Sequence, residues 1–122
     1  MITQYFADFG NIINSLDFVI NSDIQTRKIN DFLGIIEGKL IFINGVLDFL
    51  EVIKLTDNKI FKKKYKYHFQ KHNGEIIFRY DNAPHHQNIA TYPHHKHIGL
   101  EITESIEPDI IQILIEIKSL IP

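Results

Sequence analysis

The apolar positions at the start of the chain follow a helical period. Tyr5, Phe6, Phe9, Ile12 and Ile13 fall on one face of a helix. This predicts an amphipathic helix over residues 3–14 with Thr3 as its N-cap, because a threonine hydroxyl can accept from a free amide of the first turn. From Leu16 to Asp81 the pattern changes to short β-rich runs, broken at Asn30-Asp31, Asn44-Gly45, Asp57-Asn58 and Asn73-Gly74. Asn-Gly between alternating apolar residues is a strong hairpin signal, since both residues tolerate positive φ. Five strands follow, over residues 17–28, 32–43, 46–56, 60–71 and 76–81, joined as an antiparallel meander. Residues 82–106 read as a loop, and a last helix starts near Glu107-Pro108, proline being suited to a first helical turn. The expected fold is α+β: a five-stranded antiparallel β-meander flanked by an N-terminal and a C-terminal helix, in one domain over residues 1–122.

The last helix is apolar on two sides. Ile110, Leu114, Ile117 and Ile121 would face the sheet, leaving Ile111 and Ile115 on the opposite side. A helix apolar most of the way round is buried twice. Either the N-terminal helix covers the second side, or a partner does, which leaves a homodimer open.

Hairpin register assigns the sheet faces. A two-residue turn at Asn73-Gly74 sets His72 opposite Glu75, Phe69 opposite Phe78 and Tyr67 opposite Tyr80. Tyr65, Tyr67, Phe69, Phe78 and Tyr80 then form an aromatic core face, because directly opposed residues share a face. The other face carries Lys62, Lys64, Lys66 and His68, with Arg79 opposite His68 and Asp81 opposite Lys66. Carrying the same logic across Asp57-Asn58 places Glu51 beside Lys64 on that polar face.

Charge sharpens this picture. The formal net charge is −2, yet no acidic residue stands between Asn58 and Gly74, where Lys59, Lys62, Lys63, Lys64, Lys66 and Lys71 accompany His68 and His72. A polyanion responds to the local field, which decays over about 8 Å at physiological salt. With no cysteine in the chain, disulfides and thiolate metal sites are excluded, and a reducing, cytoplasmic setting is expected. No signal peptide is visible, and no apolar run approaches the ~18 residues of a membrane span.

Five of the seven histidines, His85, His86, His94, His95 and His97, lie within thirteen positions, and Pro84 and Pro93 precede the two groups. Proline stiffens each approach, and imidazoles serve acid–base chemistry, phosphate binding or metal ligation. Three readings stand for this loop: a catalytic or phosphate-binding segment, a metal site through His95 and His97, or a loop folded by satisfied histidines with Tyr92 packed inside. The metal reading needs Asp81 or a distant acid, since no carboxylate lies between Asn82 and Leu100.

Together the polar face and the loop have the parts for metal-independent RNA cleavage: a base for the 2′-hydroxyl, an acid for the leaving oxygen, and cations for the phosphorane charge. The expected catalytic set is His68, Arg79, Asp81, and His86 or His95 as second imidazole. Arg79 would hold phosphate through two nitrogens, and Asp81 would orient an imidazole or Arg79. Lys62, Lys64, Lys66 and Lys96 are the expected RNA contacts, with Glu51, Asn82, His85, His94 and His97 in support. No cofactor is required by this chemistry, although the histidine loop leaves a divalent metal open. The competing readings are a metal-dependent nuclease and a non-enzymatic binder of RNA or the ribosome.

The segments Phe78-Arg79-Tyr80-Asp81-Asn82-Ala83-Pro84-His85-His86 and Thr91-Tyr92-Pro93-His94-His95-Lys96-His97 resemble the TumE-like toxin family of prokaryotic toxin–antitoxin modules. Lys64-Tyr65-Lys66-Tyr67-His68-Phe69, Gly74-Glu75-Ile76-Ile77-Phe78 and Leu47-Asp48-Phe49-Leu50-Glu51 are similar as well, while Tyr92 stands where phenylalanine is expected. The resemblance spans about Ile36 to the end. It implies a growth-inhibiting toxin, neutralised by a small helix-turn-helix antitoxin encoded beside it.

Overall fold

The computed structural model describes residues 1–83, 93–99 and 101–122. An α+β architecture is present: helix α1 (Ile2–Asn14), seven strands, and helix α2 (Ile110–Ser119). The strands are β1 (Asn21–Asn30), β2 (Leu33–Phe42), β3 (Gly45–Thr56), β4 (Lys59–Gln70), β5 (Ile76–Asp81), β6 (His95–Ile98) and β7 (Glu101–Glu104). They form one sheet in chain order, every neighbour antiparallel.

The two strands beyond the expected five lie inside the stretch read as a loop. Their side chains carry little apolar alternation, so the period-two signal is weak there. Backbone pairing makes them instead. β6 adds to the open edge of β5, with Arg79 opposite His97 and Asp81 opposite His95. Gly99, at φ 59°, takes the left-handed turn that returns the chain as β7, a conformation without steric cost for glycine.

The β4–β5 register is as expected from Lys66↔Asp81 to Phe69↔Phe78, but the turn is longer. The Lys71 amide donates to the Glu75 carbonyl at 2.8 Å, so Lys71 rather than His72 faces Glu75. A register shift between Phe69 and Gln70 absorbs the extra turn residue, and the two deviations cancel.

The β3–β4 pairing departs further. Its turn is the tight one expected, with Thr56 opposite Lys59 and positive φ at Asp57 (52°) and Asn58 (60°). Next, however, Ile53 pairs with Lys62 and Val52 with Lys64, leaving Lys63 bulged out. One inserted residue exchanges the faces of everything beyond it. Glu51 therefore lies opposite Tyr65, not Lys64, and Lys62 is on the core face with Ile53.

The expected aromatic face is the core face: Tyr65, Tyr67, Phe69 and Phe78 are buried together with Leu47, Phe49, Ile36 and Leu40. Each such side chain contributes about 1.5–3 kcal/mol relative to exposure. Phe9 of α1 stacks on Phe49 at 5.2 Å. Helix α1 begins one residue earlier than expected, capped at Met1, so Thr3 lies inside its first turn. Helix α2 starts after Pro108, at a capping box. Asp109 accepts from the Gln112 amide at 2.8 Å, and the Gln112 side chain accepts from the Asp109 amide at 2.9 Å. Ile110, Ile113, Leu114 and Ile117 face the core, and Ile121 follows the helix end. Ile111 and Ile115 stay 48% and 62% exposed, so α1 does not cover the second apolar side of α2.

Candidate functional site on the polar sheet face

Across β4, β5 and β6, two cross-strand rows lie on the face opposite the aromatic core. The first runs His68–Arg79–His97, and the second Lys66–Asp81–His95. β3 extends both rows, Asp48 opposing His68 and Leu50 opposing Lys66. Each row follows from the same fact, that side chains alternate faces and opposed residues are neighbours.

Asp81 is the hub. It is buried, and an isolated buried carboxylate is costly unless it is hydrogen-bonded and paired. Four groups meet it. Arg79 Nε donates to Oδ2 at 3.0 Å and the Ala83 amide donates to Oδ1 at 3.0 Å. His95 Nε2 lies 2.7 Å from Oδ1, and His97 Nε2 lies 3.4 Å from Oδ2. The His95 and His97 rings meet edge-on at 4.8 Å. Ring nitrogen Nδ1 of His95 sits 2.9 Å from the Pro93 carbonyl, so both nitrogens of this fully buried imidazole are engaged. His97 and Arg79 reach solvent, with side chains 26% and 40% exposed.

Beside the hub, His68 Nε2 is 3.0 Å from the Gln70 side-chain oxygen, and its Nδ1 has no partner among the described residues. Lys66 reaches Asp48 at 3.5 Å, and Lys64 is exposed on the same face. Asp48 was not among the expected site residues. The alternation Leu47-Asp48-Phe49 carried the signal, since it places Asp48 outward whenever its neighbours face the core.

Several expected site residues belong to the other face. Glu51 is fully buried, accepting hydrogen bonds from Tyr5 Oη and, at 2.5 Å, from Tyr67 Oη. Lys62 donates to Tyr67 Oη at 2.7 Å and to the Pro108 carbonyl. Its ammonium also lies over the Tyr65 and Tyr67 rings at 5.2 and 5.0 Å. Burial pushes Lys62 below the ordinary lysine value against the pull of Glu51. Burial first, then Glu51, hold the Tyr5 and Tyr67 hydroxyls far above the ordinary tyrosine value. Neither Glu51 nor Lys62 can meet a ligand on the polar face, and the bulge at Lys63 is the reason.

Lys96 lies opposite Tyr80 and likewise faces the core side. It pairs with Glu116 of α2 at 2.9 Å and covers the Tyr80 ring at 4.7 Å. Burial lowers its ammonium, but the Tyr80 hydroxyl and Glu116 carboxylate outweigh that and leave it above the usual lysine value. His94 stacks on Tyr65 and meets its hydroxyl at 2.9 Å. Asn82 accepts from the Tyr65 amide at 3.0 Å and donates to the Lys63 carbonyl at 3.2 Å, tying down the bulge. His85 and His86 lie outside the described residues.

No helix among the described residues is long and apolar enough to cross a membrane. Comparisons with curated proteins and with solved structures returned no match. A family model described as toxin TumE matches residues 10–121. That match takes in the end of α1, all of α2, the whole sheet and every residue of the Asp81 cluster, and the chain belongs to the TumE toxin family.

Proposed function

We propose that this toxin is an endoribonuclease acting through the His68–Arg79–His97 row, with Asp81 and His95 as its rigid support. The observation that carries the reading is that row: a partly exposed guanidinium flanked on both neighbouring strands by an imidazole. Adjacent strands are about 4.8 Å apart, so the two imidazoles can stand on opposite sides of one phosphate held by Arg79. One imidazole removes the 2′-hydroxyl proton as that oxygen attacks phosphorus. The other protonates the departing 5′-oxygen, leaving a 2′,3′-cyclic phosphate. Arg79 neutralises the charge that builds on the phosphorane. Asp81 orients Arg79 and, with His95, buttresses the floor of the site. His95 has both nitrogens occupied and takes a positioning role, so His97 becomes the second imidazole in preference to His95. Lys64 and Lys66 attract the RNA backbone. This chemistry needs no cofactor and fits a cytoplasmic target.

We further propose that a small helix-turn-helix antitoxin neutralises the toxin by covering this basic face. Its acidic groups would complement Lys64 and Lys66, which are poorly served by leaving that face open. The deciding experiment incubates purified toxin with RNA in EDTA and with a substrate deoxy-substituted at each 2′ position. Cleavage of the first with cyclic-phosphate ends, and resistance of the second, is the expected result. Protection of both substrates from added nuclease, with no cutting, would instead identify a non-enzymatic RNA-binding toxin.

A further inference from the structure

The contact between His95 and Asp81 lacks a proton in the neutral ring. Nδ1 of His95 points at the Pro93 carbonyl oxygen at 2.9 Å. That oxygen can only accept, so Nδ1 carries the ring hydrogen and Nε2 carries the lone pair. Nε2 nevertheless faces Asp81 Oδ1 at 2.7 Å. A lone pair and a carboxylate oxygen repel at that separation, so the contact calls for a positive charge between them, either a second ring proton or a metal ion. A third donor is in place, His97 Nε2 at 3.4 Å from Oδ2, and one ligating atom from each of the three residues lies within 4.8 Å of the others.

We propose that Asp81, His95 and His97 bind a divalent transition-metal ion of the zinc class. Two imidazoles and a carboxylate are borderline donors that suit such an ion better than Mg²⁺ or Ca²⁺. Donors at about 2.0–2.2 Å from a tetrahedral zinc sit roughly 3.3–3.5 Å apart. The His97–Asp81 spacing already meets that value, and the His95–Asp81 pair must open by several tenths of an ångström. The supporting contacts are those that metal sites use: the Pro93 carbonyl holds the far nitrogen of one ligand, and the Ala83 amide holds the carboxylate. Arg79 Nε competes for Oδ2, so loading the site frees the guanidinium. Zinc and proton transfer also compete for the same His97 nitrogen, which makes the loaded state a resting state of the nuclease proposed above.

Titration of the full-length, untagged toxin with Zn²⁺ by calorimetry, and with Co²⁺ by visible absorption, tests the site directly. One ion per chain is expected, with the intense absorption bands of tetrahedral cobalt. His97→Ala should weaken both by about tenfold or more, while His72→Ala, remote on the β4–β5 turn, should bind as the native chain does. His95 is too deeply buried for its replacement to separate folding from binding, and His97→Ala keeps the test sound. Absence of binding, or unchanged affinity in His97→Ala, overturns the site. Because the readout is the ion itself, a toxin that cuts RNA in EDTA but binds no zinc fails this inference alone. One that binds zinc but never cuts fails only the nuclease reading.

Discussion

Glu51 and Asp81 are buried carboxylates on opposite faces of one sheet, and their partners give them different consequences. Glu51 meets two tyrosine hydroxyls within the core, near the Lys62 ammonium. Removing one member of such a network strands the rest, at a cost of about 3–5 kcal/mol. Glu51→Ala should therefore lower the urea midpoint sharply and reduce toxicity only through loss of folded protein. Arg79 belongs to a partly exposed pair with Asp81, worth about 1 kcal/mol or less once solvent screening is counted. Arg79→Ala should keep a nearly native urea midpoint yet abolish RNA cleavage and growth inhibition. A fully toxic Arg79→Ala protein at normal abundance would show that the row is not the site.

Among the elements, the bulge at Lys63 decides what each face of β4 carries. Deleting one lysine from Lys62-Lys63-Lys64 would make the Ile53↔Lys62 and Val52↔Lys64 pairings continuous without turning over any other residue. The expected loss is the Asn82 bond to the bulged carbonyl, about 1 kcal/mol, measured by chemical denaturation, with RNA cleavage retained. An unfolded deletion variant would mean that the bulge itself is required. Helix α2 supplies a second element-level test. Asp109→Ala removes half of the capping box and should cost about 1 kcal/mol, moving the thermal midpoint down without changing activity per folded molecule.

At the scale of the molecule, the core network predicts alkaline sensitivity. The Tyr5, Tyr65 and Tyr67 hydroxyls all have folded values raised above their unfolded 10.0, chiefly through burial. With folded values higher, the native state retains protons that the unfolded chain releases, so this stability is complete below pH 10.0 and declines above it. The urea midpoint should fall steeply in that range, and Tyr67→Phe should flatten the fall; an unchanged slope would remove Tyr67 as its source. For the proposed antitoxin, Lys64→Glu with Lys66→Glu should weaken the complex at low salt, measured by calorimetry. Unchanged affinity would move the interface elsewhere, the exposed Ile111 and Ile115 being the next surface to test.

By itself the sequence determined the α+β class, the first five strands, both helices, and the row that sets His68 against Arg79. Those features rest on local periodicity and one Asn-Gly turn, whose small error in length was cancelled by an adjacent bulge. The start of the last helix was placed at Glu107-Pro108 from the proline alone, and the structure moves it to the Asp109 and Gln112 capping box. Tertiary structure alone decided the faces of Glu51 and Lys62, because a bulge has no reliable signature in a run of identical lysines. It likewise decided β6 and β7, whose pairing is made by backbone groups and the free edge of β5 rather than by an apolar pattern. The Asp81–His95–His97 cluster depends on that pairing: its members are separated along the chain, and only the added strand places both imidazoles against one carboxylate.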